Sequence, residues 1–258
     1  MTYSALVKFG YLFIKLCRDE VNNVIKDAEG TVIGFRNYDQ CLIDLLETDR
    51  AWIAVAALVA CAVIAYLLGS LNFAVILSRV FHHDDIRKYG SGNAGATNMV
   101  RTYGRKWGVI TFICDGLKAA VAVLFAMFLM GEGGAYIAAL FAILGHIFPV
   151  YYKFKGGKGV VVAAISILCL NPLVFLILVL IFVAIVAASK YISLGSIICA
   201  FFYPMILNAF NRGASGFGFI STTISVMLAV IVIFMHRSNI KRLMNRTENK
   251  IGQKAKKE

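Results

Sequence analysis

Ser91, Asn93, Thr97 and Arg101 fall in one stretch, KYGSGNAGATNMVRTYGRKW from Lys88 to Trp107, rich in glycine, amide and hydroxyl groups and free of acids. Glycine lets backbone N–H groups approach a ligand closely, and successive N–H groups form a concave site for an anion. Ser91 and Arg101 with Gly92, Asn93 and Thr97 beside them therefore suit an oxyanion. A second glycine-lysine loop, KFKGGKG at 153–159, offers Lys155, Gly156, Gly157, Lys158 and Gly159. It is half of a nucleotide-binding P-loop, but Gly159 stands where Ser or Thr would bind magnesium, so the nucleotide reading fails. What remains is a lysine, glycine donors and the dipole of a helix starting near Val160, all suited to phosphate. The third group is His236 with Asn239, one helical turn apart and on one face.

Other chemistries lack their residues. No His is followed five positions later by Asp; Arg87, Lys88, Tyr151 and Lys241 occupy those places. The His-Asp pair of the common acyl-CoA acyltransferases is thus missing, as are a GxSxG nucleophile elbow and an HExxH zinc helix. Six cysteines show no CxxC spacing and no nearby histidine, so neither a metal nor any other cofactor is expected. Asp115 and Lys118, three apart, fit a local ion pair or a clamp on a loop arginine.

The elements that must position these groups are apolar. Of 258 residues 60% are hydrophobic and 16% charged, with mean hydropathy +0.77, far from the usual soluble balance. An all-α membrane protein of about seven transmembrane helices is expected. The spans are Trp52 to Leu77, Val109 to Met130, Tyr136 to Tyr152, Val160 to Leu170, Leu173 to Ala188, Ile192 to Leu207 and Phe217 to Phe234. GEGG at 131–134 and Asn171-Pro172 read as turns. Loops after spans one, three and five and the tail hold six, three, one and eight Lys/Arg, whereas the opposite loops hold only Arg212. That bias places the C-terminus and all three polar groups on the cytoplasmic side and the N-terminus outside.

Residues 1–50 read as a separate extracytoplasmic, peripheral extension, with six Lys/Arg against eight Asp/Glu and a turn at Glu29-Gly30. Residues 51–258 form the seven-span domain with its basic cytoplasmic tail, carrying twenty Lys/Arg against six Asp/Glu. This balance suits membrane lipid head groups and phosphorylated substrates, and the flanking position of the cations argues against nucleic acid. Lys15 interrupts the apolar piece Phe9 to Cys17, unlike a cleavable signal peptide. Cys17 and Cys41 can pair only in an oxidising compartment. Cys61, Cys114, Cys169 and Cys199 read as packing residues.

The successive segments GSGNAGATNMVRTYGRKWG, GHIFPVYYKFKGGKGV, KYISLGSI and HRSNIKRL, in this order between about residues 60 and 243, resemble the motifs of bacterial acyl-phosphate:glycerol-3-phosphate acyltransferases, the PlsY family. The resemblance implies a seven-span inner-membrane enzyme with its site at the cytoplasmic face. Such an enzyme transfers a fatty acyl group from acyl phosphate to the 1-hydroxyl of glycerol 3-phosphate, giving lysophosphatidic acid and phosphate. Carried over by motif, Ser91, Arg101, Lys158, His236 and Asn239 are the catalytic set, with Asn93, Thr97 and the loop-two glycines in support. Which cation holds which phosphate, and whether His236 or the donor phosphate takes the hydroxyl proton, stay open at this level. Two departures stand out: the extension, and Gly69-Ser70-Leu71-Asn72 where the family tends to have Gly-Ser-Ile-Pro, which puts a kink there in doubt. The rival class is a transporter for an organic phosphate, which needs a path near the midplane and paired halves; no internal repeat supports it.

Overall fold

The computed structural model describes residues 25–26, 32–34, 51–211 and 218–252. Before the membrane domain, β1 (Ile25–Lys26) and β2 (Val32–Gly34) pair antiparallel. They bracket the expected turn at Glu29-Gly30, which with the rest of residues 1–50, Cys17 and Cys41 included, lies outside the described residues. Among the described residues after them, the elements are helical: α1 (Ala51–Ser70), α2 (Phe73–His82), α3 (Ala96–Tyr103), α4 (Arg105–Ile147), α5 (Val160–Leu170), α6 (Pro172–Ser189), α7 (Ile192–Phe210), α8 (Gly218–Met235) and α9 (Arg237–Met244).

The 43 residues of α4 do not form a rod. Gly131 adopts φ 67° and ψ −162°, a conformation that glycine tolerates and other residues resist. Val123 shares a buried cluster with Ala135 and Ala139, and Lys118 Nζ lies 3.0 Å from His146 Nδ1. In a straight helix the latter pair would be about 42 Å apart. The chain therefore doubles back at Gly131, and α4 is two antiparallel limbs. The reversal takes one residue where a four-residue turn was expected, and the second limb runs from Glu132 to Ile147 instead of Tyr136 to Tyr152. Val150–Tyr152 is a short 3-10 turn.

The second limb of α4 packs against α1 through small residues. Ala54, Ala57, Cys61 and Ala65 recur at helical spacing on the buried face of α1. A Cβ on Gly69 would stand 2.2 Å from the Ala142 carbonyl oxygen, and one on Gly145 2.2 Å from that of Tyr66. Close backbone approach of this kind is how apolar helices gain contact when lipid removes the hydrophobic drive between them.

The helix interruption after Ser70 persists without proline. Asn72 caps α2 by accepting from the Val75 N–H at 3.1 Å, the ordinary role of an asparagine N-cap. Asn171 does the same for α6, accepting from Val174 N–H at 3.1 Å with Pro172 in the first turn. Here the turn expected at Asn171-Pro172 is present. Among the described residues, four helical stretches are long and apolar enough to cross a membrane: 52–82, 105–152, 172–189 and 192–210. A fifth is obtained if α8 and α9, bent by 55°, count together. The eleven residues of α5 extend about 16 Å, half of a hydrocarbon core.

The backbone contact at Gly145 yields a prediction. Gly145→Val should lower the unfolding midpoint in detergent, since overpacking against a main-chain carbonyl costs about 1–3 kcal/mol or more. Leu124, on the first limb of α4, is exposed on the outer face and takes no part in this contact. Leu124→Ala therefore serves as the control and should leave the midpoint nearly unchanged.

Candidate active site

The stretch after α2 folds as a unit. Ile86, Ala94 and Met99 join Ala74, Val75 and Leu77 of α2 in a small apolar core. Buried Asn98 ties the loop internally: its Oδ1 accepts the Ser91 N–H at 3.0 Å, and its Nδ2 donates to the carbonyls of Tyr89 at 2.9 Å and Ile86 at 3.2 Å. Asn72 Nδ2 donates to the Ala94 carbonyl at 3.3 Å. Arg87, paired with Asp85 at 2.7 Å, donates to the carbonyls of Tyr152 at 3.1 Å and Lys155 at 2.9 Å, joining the first glycine loop to the second.

These ties close a polar cavity of about 220 Å³. Ser91, Asn93, Thr97, Arg101, Lys158, Gly159, His236 and Asn239 all line it, so residues from three distant segments meet. Two helix N-termini also face it, α3 at Ala96-Thr97 and α5 at Val160-Val161. Gly95 and Gly159 stand at their caps, and neither end has a side-chain cap. Uncapped N–H groups carry the positive end of the helix dipole and accept an anion readily. Arg101 has no ion pair within 4 Å among the described residues, and burial lowers its pKa from the usual value.

Four of the expected phosphate donors stand elsewhere. The Gly156 N–H donates to the Ile147 carbonyl at 3.0 Å and the Gly157 N–H to that of His146 at 3.1 Å. With those hydrogens committed, neither glycine is available to a ligand. They are small because the chain passes against α4: a Cβ on Gly156 would meet the His146 carbonyl oxygen at 2.0 Å. Lys155 is exposed and outside the cavity. Gly92 adopts φ 70° and gives its N–H to the Tyr89 carbonyl at 3.0 Å, serving the turn.

Groups that sequence reasoning passed over complete the wall. Lys158 Nζ donates to Asn239 Oδ1. Asn239 Nδ2 donates to Glu248 Oε1 at 2.7 Å, as does Ser193 Oγ at 2.9 Å, and Arg242 Nε donates to Oε2 at 2.6 Å. Burial pushes the Glu248 carboxyl up, and these hydrogen bonds more than offset it, leaving the group below its ordinary value. A carboxylate after a basic helix has no sequence signature; only its return to Ser193 reveals it. Asp115 and His146 also line the cavity.

His236 Nδ1 lies 2.7 Å from the Val232 carbonyl oxygen. A carbonyl only accepts, so Nδ1 carries the proton and Nε2 is left as an acceptor. Burial, first, and the Lys158 charge lower its pKa to about 4, so the ring is neutral near pH 7. Burial likewise brings Lys158 down to about 8, with Arg242 adding to the effect.

Beyond the polar cavity runs an apolar groove of about 260 Å³. Phe112, Val160, Val161, Phe182 and Ser196 belong to both, so the two are continuous. The groove follows α5 from Val160 to Ile167, α6 from Phe182 back to Phe175 and α7 from Ser196 to Tyr203. Each stretch is seven residues on, about 10 Å along its helix.

The family model for glycerol-3-phosphate acyltransferase matches residues 59–246. The chain belongs to this family. It is 44% identical over 193 residues to the glycerol-3-phosphate acyltransferase of Thermoanaerobacter pseudethanolicus, covering 75% of this chain and 95% of that one. Against the enzyme of Rhizobium etli it is 38% identical over 211 residues, covering 81% and 100%. The crystal structure of PlsY, an integral membrane glycerol 3-phosphate acyltransferase, in its glycerol 3-phosphate form superposes with TM-score 0.70 at 33% identity, over 76% of this chain and 96% of that one. Its lysophosphatidic acid form gives 0.67 at 31%, over 76% and 95%. Like these relatives, the chain is a multi-pass membrane acyltransferase. The family match begins after residue 58, so residues 1–50 fall outside it.

The Lys158 pKa sets a pH dependence. Lys158 is charged below about 8 and neutral above it, so kcat/KM for phosphate-bearing substrate should fall as pH rises through that value. Lys158→Arg, which stays charged, should shift the alkaline limb upward by at least one pH unit in a kcat/KM profile.

Proposed function

We propose that the protein transfers a fatty acyl group from acyl phosphate to the 1-hydroxyl of glycerol 3-phosphate, releasing lysophosphatidic acid and inorganic phosphate. One observation carries the reading: a cationic cavity with two uncapped helix N-termini opens directly into an apolar groove. A polar cavity alone suits any small phosphate compound. The adjoining groove adds a place for a hydrocarbon chain attached to the reacting centre, which the glycerol phosphate lacks and the donor has. The glycerol 3-phosphate and lysophosphatidic acid named for the similar structures fit this division.

In this mechanism Lys158 and the N-terminus of α5 hold one phosphate, beside the mouth of the groove. Arg101, Ser91 and the N-terminus of α3 hold the other. Asn239 aligns Lys158, and Glu248 fixes Asn239 so that its oxygen, not its nitrogen, faces the ammonium. The hydroxyl oxygen of glycerol phosphate attacks the acyl carbonyl carbon, the carbon–oxygen bond to phosphate breaks, and phosphate departs. A mixed anhydride is already activated, so no covalent enzyme intermediate is needed. Positioning can supply up to roughly 7–11 kcal/mol, and fixed donors stabilise the charge that develops. His236 offers Nε2 as an acceptor that orients the hydroxyl. A pKa of about 4 makes it a weak base at neutral pH, which favours the departing phosphate as the proton's destination.

The same reading assigns seven passes: α1 with α2, the two limbs of α4, α5, α6, α7 and α8. It places the N-terminus outside, the site and the basic tail at the cytoplasmic face, and the protein in the bacterial inner membrane, where membrane lipids surround the groove. The polar residues gather at one end of the bundle, an arrangement that suits a surface reaction better than a transport path.

The decisive assay incubates purified protein with palmitoyl phosphate and glycerol 3-phosphate and follows lysophosphatidate and free phosphate. Equimolar release of both is expected; transfer from palmitoyl-CoA with none from palmitoyl phosphate refutes the donor. Ser91→Ala, Arg101→Ala and Lys158→Ala should each lower kcat/KM at least about tenfold, the loss of one charge-assisted hydrogen bond or more, with unfolding midpoints unchanged. Normal turnover by the triple variant would refute the site. Uptake of labelled glycerol phosphate into proteoliposomes, without acylation, would favour the transporter.

A further inference from the structure

Two buried ionisable groups, Asp115 and His146, line the cavity, and a third, buried Lys118, touches both; the mechanism above uses none of them. We propose that His146 donates its Nε2–H to a phosphate oxygen of a bound substrate, and that Lys118 is the positioning residue that holds the ring in this tautomer. The inference deepens the proposed acyl transfer and rests on it.

The tautomer follows from counting protons. The Lys118 ammonium has three hydrogens and three acceptors: the Leu71 carbonyl at 2.6 Å, the Gly69 carbonyl at 2.9 Å and His146 Nδ1 at 3.0 Å. Asp115 Oδ1, 2.8 Å away, pairs with it as a charge without taking a hydrogen bond. An ammonium donates and never accepts, so Nδ1 must accept and the ring proton must sit on Nε2. The alternative, Nδ1–H donating to Asp115, fails on distance: Oδ1 is 3.7 Å from Nδ1, too long for a hydrogen bond.

The position of Nε2 points to the ligand. A Cβ on Gly157 would lie 2.2 Å from Nε2 and 2.7 Å from the Ala94 carbonyl oxygen, so the nitrogen sits where the two glycine loops close together. That glycine is small to admit the imidazole. The Ala94 carbonyl already accepts from Asn72 Nδ2 at 3.3 Å, and Nε2 has no hydrogen-bond partner among the described residues. His146 lines the cavity, so this N–H is open to an acceptor on a ligand. The cavity that His146 lines also holds Lys158 and Arg101, so the acceptor that suits it is anionic. Both substrates carry such a group, and kinetics tell them apart. His236 faces the same cavity in the opposite tautomer, as an acceptor, so two neutral histidines divide the work of binding phosphate and hydroxyl.

His146→Gln keeps an N–H donor of similar reach, and His146→Leu keeps bulk alone. With each substrate varied in turn, His146→Leu should cost at least about tenfold more than His146→Gln in kcat/KM, the worth of one hydrogen bond to a charged group. The loss should appear as raised KM for one substrate, acyl phosphate or glycerol 3-phosphate, and that substrate is the one His146 holds. Equal activity in the two variants, or equal loss in both, overturns the proposal. On wild-type protein, 15N NMR of the imidazole should find Nε2 protonated and Nδ1 not; the reverse pattern also overturns it, whether or not the variants fold. If wild-type protein fails to use palmitoyl phosphate, the reaction assignment fails separately. Calorimetry with inorganic phosphate then decides on His146 alone, tighter binding by His146→Gln than His146→Leu supporting the donor and equal binding refuting it.

Discussion

One ammonium group holds the bundle and the site in register. Lys118 leaves the first limb of α4 and donates to the two carbonyls, Gly69 and Leu71, that the interruption of the first span sets free. It reaches His146 on the second limb at the same time. A lysine buried among apolar helices is tolerable only with its charge opposed and its hydrogens used, and Asp115 at 2.8 Å supplies the charge. Helices that lipid alone would leave free to slide are thereby pinned at the depth where the cavity begins.

Charge in the cavity follows a division of labour. Asp115 neutralises Lys118 on the floor, and Glu248 takes Arg242, Asn239 and Ser193 at the rim. Among the described residues, Arg101 and Lys158 have no carboxylate within ion-pairing distance, and the ends of α3 and α5 have no side-chain cap. The field that remains is therefore positive where loop one meets loop two, and a ligand with paired oxyanions completes it. The apolar groove imposes the other demand. Phe112, Val160, Val161, Phe182 and Ser196 form a boundary between phosphate chemistry and hydrocarbon within a single molecule.

Much of this was legible in the residues. Apolar runs and loop cations marked the helices, and the three polar segments that a bundle would gather on one side do line one cavity. The turn at Asn171-Pro172 was readable because cap chemistry is local, and the reversal near 131–134 because glycine clusters end helices. Long-range roles were not legible. Gly156 and Gly157 look like phosphate donors in the chain, yet their hydrogens go to carbonyls of α4, a partner no spacing rule reveals. Asn72 stands where the family resemblance leads one to expect proline, and only the structure shows that an amide cap preserves the interruption and tethers Ala94. Glu248 and His146 matter through partners 55 and 28 residues away, a separation at which local pattern carries no signal.

The return of Glu248 to Ser193 bears on how the enzyme comes into being. Helices enter the bilayer in order from the N-terminus, and those through α8 bring Ser91, Arg101 and Lys158 together. Asn239 and the carboxylate that steadies it follow only after α8. A nascent chain still lacking that final segment has an open-sided pocket in which Lys158 is unaligned. Competence for acyl transfer therefore arrives late in translation, once the segment beyond α8 is in place.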